Sequence, residues 1–261
     1  MTLLLGAGGV ATSGCAHAPR PIPVEPAPVV FGWRLVPGQE FTYKVTTRLR
    51  EGEDEMVREE HWRYLVREVD GHGAATIEGS LSGFGAVARL RGEELPRAAV
   101  DQLAEEEVER LSTARVRFGL SMDGRLEWLE GLDWADSLPH RLFALALPEG
   151  AVEPGAIWSD PAGVRPFGGG YPGSVELQVE GEHRLEGLHT LSDELRAEIH
   201  TVGALRPQVA LVPGVSVEGV GLWSLERGVL LWRSLSVEVV DPERGREEVA
   251  VQLDVELELL P

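Results

Sequence analysis

The 261-residue chain carries 43 acidic residues against 24 basic ones, a net charge of −19, which argues against nucleic acid and anionic lipid headgroups as partners because phosphate binding needs clustered Lys and Arg. Its 43% hydrophobic content can fill the core of one large domain or two small ones. A single lysine, Lys44, and a single cysteine, Cys15, leave no disulfide, thiol nucleophile or cysteine metal ligand after residue 15; any P-loop, Schiff-base or Ser-Lys chemistry would depend on one residue in a strand-like stretch.

Residues 1–14 are uncharged and apolar or small around Leu3, Leu4 and Leu5. The run is too short to span a bilayer, which takes about 20 residues, and reads as the hydrophobic part of a secretion signal. Thr12-Ser13-Gly14-Cys15 resembles the lipobox of bacterial lipoproteins. Ser13 and Gly14 match, Cys15 stands in the modified position, and Thr12 departs from the usual Leu; no basic residue precedes the Leu run. The resemblance implies palmitate-type acylation of Cys15 and attachment to a membrane. Ala16, where inner-membrane lipoproteins often carry Asp, implies the bacterial outer membrane, on its periplasmic side or at the cell surface. Residues 15–29 then form a lipidated cysteine and a linker with five prolines, Pro19, Pro21, Pro23, Pro26 and Pro28, a composition that stays extended at about 3.1 Å per residue. Residues 30–261 come next as a single β-rich domain, with a weak subdomain boundary near residue 148.

Residues 41–49 alternate apolar and polar with a period of two, the signature of a half-buried strand. Residues 56–70 continue the pattern with Trp62, Tyr64 and Val66 on one face, and residues 74–90 pair back across Gly71-His72-Gly73. Gly79, Gly83 and Gly85 within that partner strand predict bulges and a curled sheet. Residues 95–111 switch to a helical period, with Leu95, Ala99, Leu103 and Leu111 on one side. Residues 116–122 and 126–128 alternate again. One extra residue at Arg125 aligns their apolar sets by pairing Met122 with Leu126, which predicts a three-residue loop with Gly124 in a left-handed conformation.

Residues 137–147 form a short apolar helix candidate ended by Pro148, and residues 161–173 read as a loop. The strand from residue 175 to 187 and its partner from 195 to 201 put apolar residues at odd positions. Residues 215–226, 229–240 and 247–260 form a closing meander.

No constellation identifies a reaction. His183, His189 and His200 lie on neighbouring strands, but aligning the apolar faces puts His183 and His189 toward the core and His200 outward, which disfavours a metal site. His140, with Asp133, Asp136 and Ser137 nearby, fits helix capping better than catalysis. The acidic clusters at residues 51–55 and 105–107 lack calcium-loop spacing and read as solvated faces. GxSxG, HExxH, S-x-x-K and GxGxxG motifs at a suitable junction are absent. Neither a cofactor nor a catalytic residue is expected. Among seven tryptophans, Trp223 and Trp232 are candidates for lining a hydrophobic cavity together with His183, under a lid carrying Phe167 and Tyr171.

The expected fold is mainly β, a large antiparallel curled sheet or half-barrel with one or two short helices on its apolar face. That plan is similar to the periplasmic half-barrel lipid-carrier lipoproteins, in plan only. The expected function is that of a lipid-anchored envelope protein serving as a non-catalytic binding or scaffold component, with other envelope proteins bearing basic surfaces as partners. The alternative is a periplasmic carrier of a lipid or other apolar ligand, and a hydrolase is the third reading, disfavoured by the missing motifs.

Overall fold

The computed structural model describes residues 22–24, 27–132, 140–141, 143–167, 177–205, 214–240 and 249–261; Cys15 and Tyr171 lie outside them. In chain order the strands are β1 (Ile22–Pro23), β2 (Val29–Val30), β3 (Glu40–Glu51), β4 (Asp54–Val69), β5 (Ala75–Leu90) and β6 (Glu93–Glu94). Helix α1 (Arg97–Thr113) is next, then β7 (Val116–Leu120), β8 (Leu126–Glu130), β9 (Ala151–Val152), β10 (Ile157–Phe167), β11 (Leu177–Leu191), β12 (Glu194–Leu205), β13 (Gly214–Ser224), β14 (Val229–Val240) and β15 (Val249–Leu259).

Thirteen of these strands form one antiparallel sheet, as the alternating sequence predicts. Its order is β8-β7-β5-β4-β3-β15-β14-β13-β12-β11, with β10 and β1 both on the far side of β11 and β6 extending β5; the sheet does not close into a barrel. The long strands are connected as two meanders, and the seam between them joins β15 to β3, with Leu257 opposite Val45 and Leu253 opposite Leu49. Bulges interrupt the ladder between β4 and β5, β11 and β12, β13 and β14, and β14 and β15. Each adds a local bend and extra right-handed twist, which curls a sheet of this width around its apolar face.

Two segments run through the hollow of the curl. Residues 29–36 bring in Phe31 and Trp33, and residues 140–152 bring in His140, Phe143, Leu145 and Leu147, all buried. Trp33 meets Phe143 at a ring separation of 4.8 Å and Trp223 edge-on at 4.7 Å. Phe143 stacks on Phe41 at 5.6 Å and packs against Tyr43, Tyr64 and Phe118. Such aromatic pairs contribute about 0.5–1.5 kcal/mol each beyond their buried area. The two segments act as a plug, because they supply from inside the apolar surface that one curled sheet lacks.

Three predicted elements change. Among its described residues, the helix candidate over residues 137–147 is helical at His140, Arg141 and Phe143; Leu145, Ala146 and Leu147 lie in neither helix nor strand and are buried, with Leu147 N–H bonded to Asp123 O at 2.7 Å. Its sequence is apolar all round because it passes through the interior rather than lying over it. The predicted loop over residues 161–173 is strand as far as Phe167, in two register shifts against β11. Helix α1 is displaced by two residues from its predicted span and packs against β5, burying Val100 and Leu111. It occupies the length of β5 between its pairings with β7 and β6, where no strand continues the sheet.

Candidate ligand-binding face

Side chains on the inner face fall into rows that cross the sheet at right angles to its strands. The rows nearest the plug are aromatic and filled. Tyr43 donates from its hydroxyl to Leu230 O, and the Tyr64 hydroxyl meets His140 Nδ1 at 2.8 Å. Burial pushes both phenols above their ordinary pKa, so they are neutral hydrogen-bonding groups. His140 is thus a core histidine; the neighbouring Asp133, Asp136 and Ser137 lie outside the described residues.

A polar belt lies one step further along the strands. On β11, His183 faces Thr201 of β12, and its Nδ1 lies 2.9 Å from the Thr201 hydroxyl. His183 is 1% exposed, and burial together with the Arg233 guanidinium holds its pKa down at about 3, so the ring is neutral at physiological pH. Its Nε2 is buried and has no hydrogen-bond partner. On β14, Arg233 points inward opposite Gly221 and is 4% exposed; its Nη1 donates to Ala144 O of the plug at 2.8 Å. On β4, the buried Glu60 accepts from Trp62 Nε1 at 2.7 Å and from Arg58, and the Arg58 guanidinium lies 5.6 Å from the centre of the Phe84 ring, within cation–π range.

Beyond the belt the inner face is apolar to the strand ends. Val217, Val237 and Leu253, on β13, β14 and β15, are buried. On β3, β4 and β5 the same face carries Leu49 opposite Met56 and Ala88 opposite Met56, with Phe84 and Ala86 beside them. These are half-buried, and Met56 is 38% exposed. The plug contacts given above, which include Trp158, Arg233 and Trp62, fall on other residues.

The predicted site residues scatter. Trp223 is buried in the core against Phe31 and Trp33 of the plug, in place of the cavity wall that the sequence suggests. Trp232 is on the outer face, in phase with Ser234 and Ser236, its Nε1 bonded to Glu256 at 2.7 Å; the bulge between Leu222 and Trp223 comes after it toward the start of β14 and turns Leu230 inward. Phe167 pairs with Leu177 at the end of β10; Tyr171 and Cys15 lie outside the described residues. His183 is on the inner face as expected. His189 is not: a bulge at Glu186 turns it outward opposite Arg196, where it bonds Glu198 at 3.1 Å. His200 faces outward as expected and bonds the other oxygen of Glu198 at 2.9 Å. Sequence reasoning missed Arg233 and Glu60. The signal available was a charged residue in the inward phase of an otherwise apolar strand face, as with Glu60 two positions before Trp62.

Among the described residues, no group of three or more His, Cys, Asp or Glu side chains is arranged to hold a metal ion, and no helix is long and apolar enough to cross a membrane. The outer face carries a groove of about 320 Å³ lined by Trp128, Glu68, Asp70, Glu127 and Thr76 among others.

No protein-family model matches the chain, and no curated protein matches it. Among solved structures, one of lipovitellin concerned with lipid–protein interactions aligns over 87% of this chain and 25% of its own, at 12% identity and a TM-score of 0.51. The present chain therefore corresponds to about a quarter of that protein, and the likeness is one of fold. DynF from the dynemicin biosynthesis pathway of Micromonospora chersina aligns over 97% of this chain and 92% of its own at 7% identity, with a TM-score of 0.23 that carries no argument.

Proposed function

We propose that the protein binds a lipid or other apolar ligand against the inner face of its curled sheet, beyond the plug. The observation that carries this reading is the half-exposed apolar wall of Leu49, Met56, Phe84, Ala86 and Ala88, which continues the core face toward the strand ends. Exposed contiguous apolar surface on a folded protein marks a binding site. The fold likeness to lipovitellin, a protein studied for its lipid contacts, supports the same reading. We read the protein as non-catalytic, since Thr201, the hydroxyl that His183 meets, is buried with it, and an imidazole with a pKa of about 3 is a poor base at neutral pH. We also infer attachment to the outer membrane through Cys15, on the lipobox-like residues alone. An envelope partner with a basic surface is a second reading, favoured by the acidic outer groove around Trp128.

Organic extraction of the purified protein followed by mass spectrometry is expected to release a stoichiometric apolar molecule, and the emptied protein is expected to bind a fluorescent apolar probe such as N-phenylnaphthylamine. Met56→Asp places a charge on the wall and is expected to weaken probe binding about tenfold, near 1.4 kcal/mol. Neither copurifying lipid nor probe binding by the extracted wild type would sink the carrier reading. For the anchor, fatty-acid labelling should vanish in Cys15→Ala, and label retained by that variant would remove the assignment.

A further inference from the structure

Resting on the second reading, that a basic partner docks on the outer face, we propose that the groove around Trp128 receives an arginine side chain of that partner, its guanidinium held against the exposed indole and by the carboxylates on either side. The groove is built by register. On the outer face Trp128 of β8 stands opposite Gly119 of β7, Gly119 opposite Thr76 of β5, and Thr76 opposite Glu68 of β4, a row that crosses about 14 Å at the usual strand spacing. Gly119 leaves a gap in this row that the indole occupies: a Cβ at that position would stand 2.3 Å from Trp128 Nε1. The ring thus leans over β7, and Trp128 is still 37% exposed. Of the aromatic side chains, an exposed indole is the best partner for a cation.

The second observation is charge. Glu68 and Asp70 line the groove from β4 and the turn after it, Glu127 lines it beside Trp128, and no lysine or arginine is among the lining residues. Glu127 is the unpaired extra residue of the β7–β8 bulge. The Thr76 hydroxyl donates to Glu68 at 3.2 Å, and the N–H groups of His72 and Ala74 donate to Asp70 at 2.8 and 2.9 Å. Those backbone donors hold the Asp70 carboxyl below the usual carboxylate range. None of the three carboxylates forms a salt bridge with a described residue. The neighbouring row is matched by contrast: Arg67 bonds Glu78 at 2.7 Å, and Arg117 stands between Glu78 and Glu130. The unmatched negative charge therefore lies beside the exposed indole.

The shape of the cation follows from this layout. A guanidinium is planar, stacks on an aromatic ring and carries five N–H donors in a fixed fork, so it can meet the indole and carboxylates on two sides at once. A lysine ammonium is a compact, strongly hydrated point charge that cannot do all three. A groove of about 320 Å³ holds one such side chain rather than a folded element.

The test follows the Trp128 indole N–H by NMR in nitrogen-15-labelled full-length protein, the resonance being identified by its loss in Trp128→Leu. The probes are N-acetyl-arginine methylamide and its lysine and neutral citrulline counterparts. The arginine probe is expected to move the resonance with half-saturation at least about tenfold below that of citrulline and below that of lysine. Glu68→Gln and Glu127→Gln, both changes at exposed positions, are each expected to raise the arginine half-saturation about threefold. An unmoved resonance, or an equal response to arginine and citrulline, overturns the site, and a lysine response as strong as that of arginine overturns the choice of guanidinium. Fluorescent nona-arginine separates the site from the reading beneath it. Equal binding by wild type and the Glu68→Gln, Glu127→Gln double variant overturns the site and leaves a basic partner docking elsewhere, whereas no binding by the wild type overturns both.

Discussion

His183 shows what one inward-facing polar residue does to the whole stability curve. Its pKa lies near 3 in the folded protein against an ordinary 6.5, so between those values the unfolded chain binds a proton that the folded one refuses. Stability from this residue is therefore complete above about pH 6.5 and is lost as pH falls toward 3, by an amount on the order of 4–5 kcal/mol at the limit. Urea unfolding of wild type and His183→Leu from pH 7 to 4 should show a steeper acid loss in the wild type; parallel curves would contradict the assignment. Gly124 makes a backbone argument of the same kind. Its φ is +81° and a Cβ there would stand 2.0 Å from Leu145 O, so Gly124→Ala combines left-handed strain with a clash against the plug. It is expected to cost about 2 kcal/mol or more, read as a lowered thermal midpoint. The left-handed glycine was legible from the loop chemistry alone. The plug carbonyl beside it was not, because nothing in residues 120–126 points to residues twenty positions on.

At the scale of elements, alternation identified nearly every long strand, and bulges decided which of its faces was misread. The pairing of Leu120 with Leu126, in place of Met122 with Leu126, leaves Met122 exposed in the turn, and the extra residue beyond it turns Trp128 outward over Gly119. His189 is reversed by the same device. A bulge adds one residue without changing composition, so period-two reading carries its error to the end of the strand. The plug was hidden for a different reason: residues 137–147 are apolar enough to read as a packed helix, and only tertiary contacts favour the non-helical path of Leu145, Ala146 and Leu147 through the curl. Phe143→Ala removes the ring shared by Trp33, Phe41, Tyr43, Tyr64 and Phe118 and is expected to cost about 3–5 kcal/mol in denaturant unfolding. A loss below about 1 kcal/mol would show that the segment is not part of the core.

For the whole molecule, a net charge of −19 on a surface where carboxylates outnumber guanidinium groups makes self-repulsion a term in stability. Raising sodium chloride from about 10 mM to 500 mM shortens the screening length from roughly 30 Å to a few ångströms, and the thermal midpoint is expected to rise with it; a falling midpoint would mean that the ion pairs outweigh the excess charge. The mainly antiparallel, curled class was legible in the sequence, whereas the strand order was not, since no local pattern reveals that β15 is the neighbour of β3. That seam governs how the chain can be made. During synthesis or export the first meander has to wait nearly two hundred residues for its missing neighbour, with the β3 edge open and the Tyr43 face uncovered meanwhile. Closing so long a loop late gives a high contact order and slow folding, and an unpaired edge is a template for aggregation. A chaperone that shields β3 until β15 arrives would protect the one stage at which this molecule is most vulnerable.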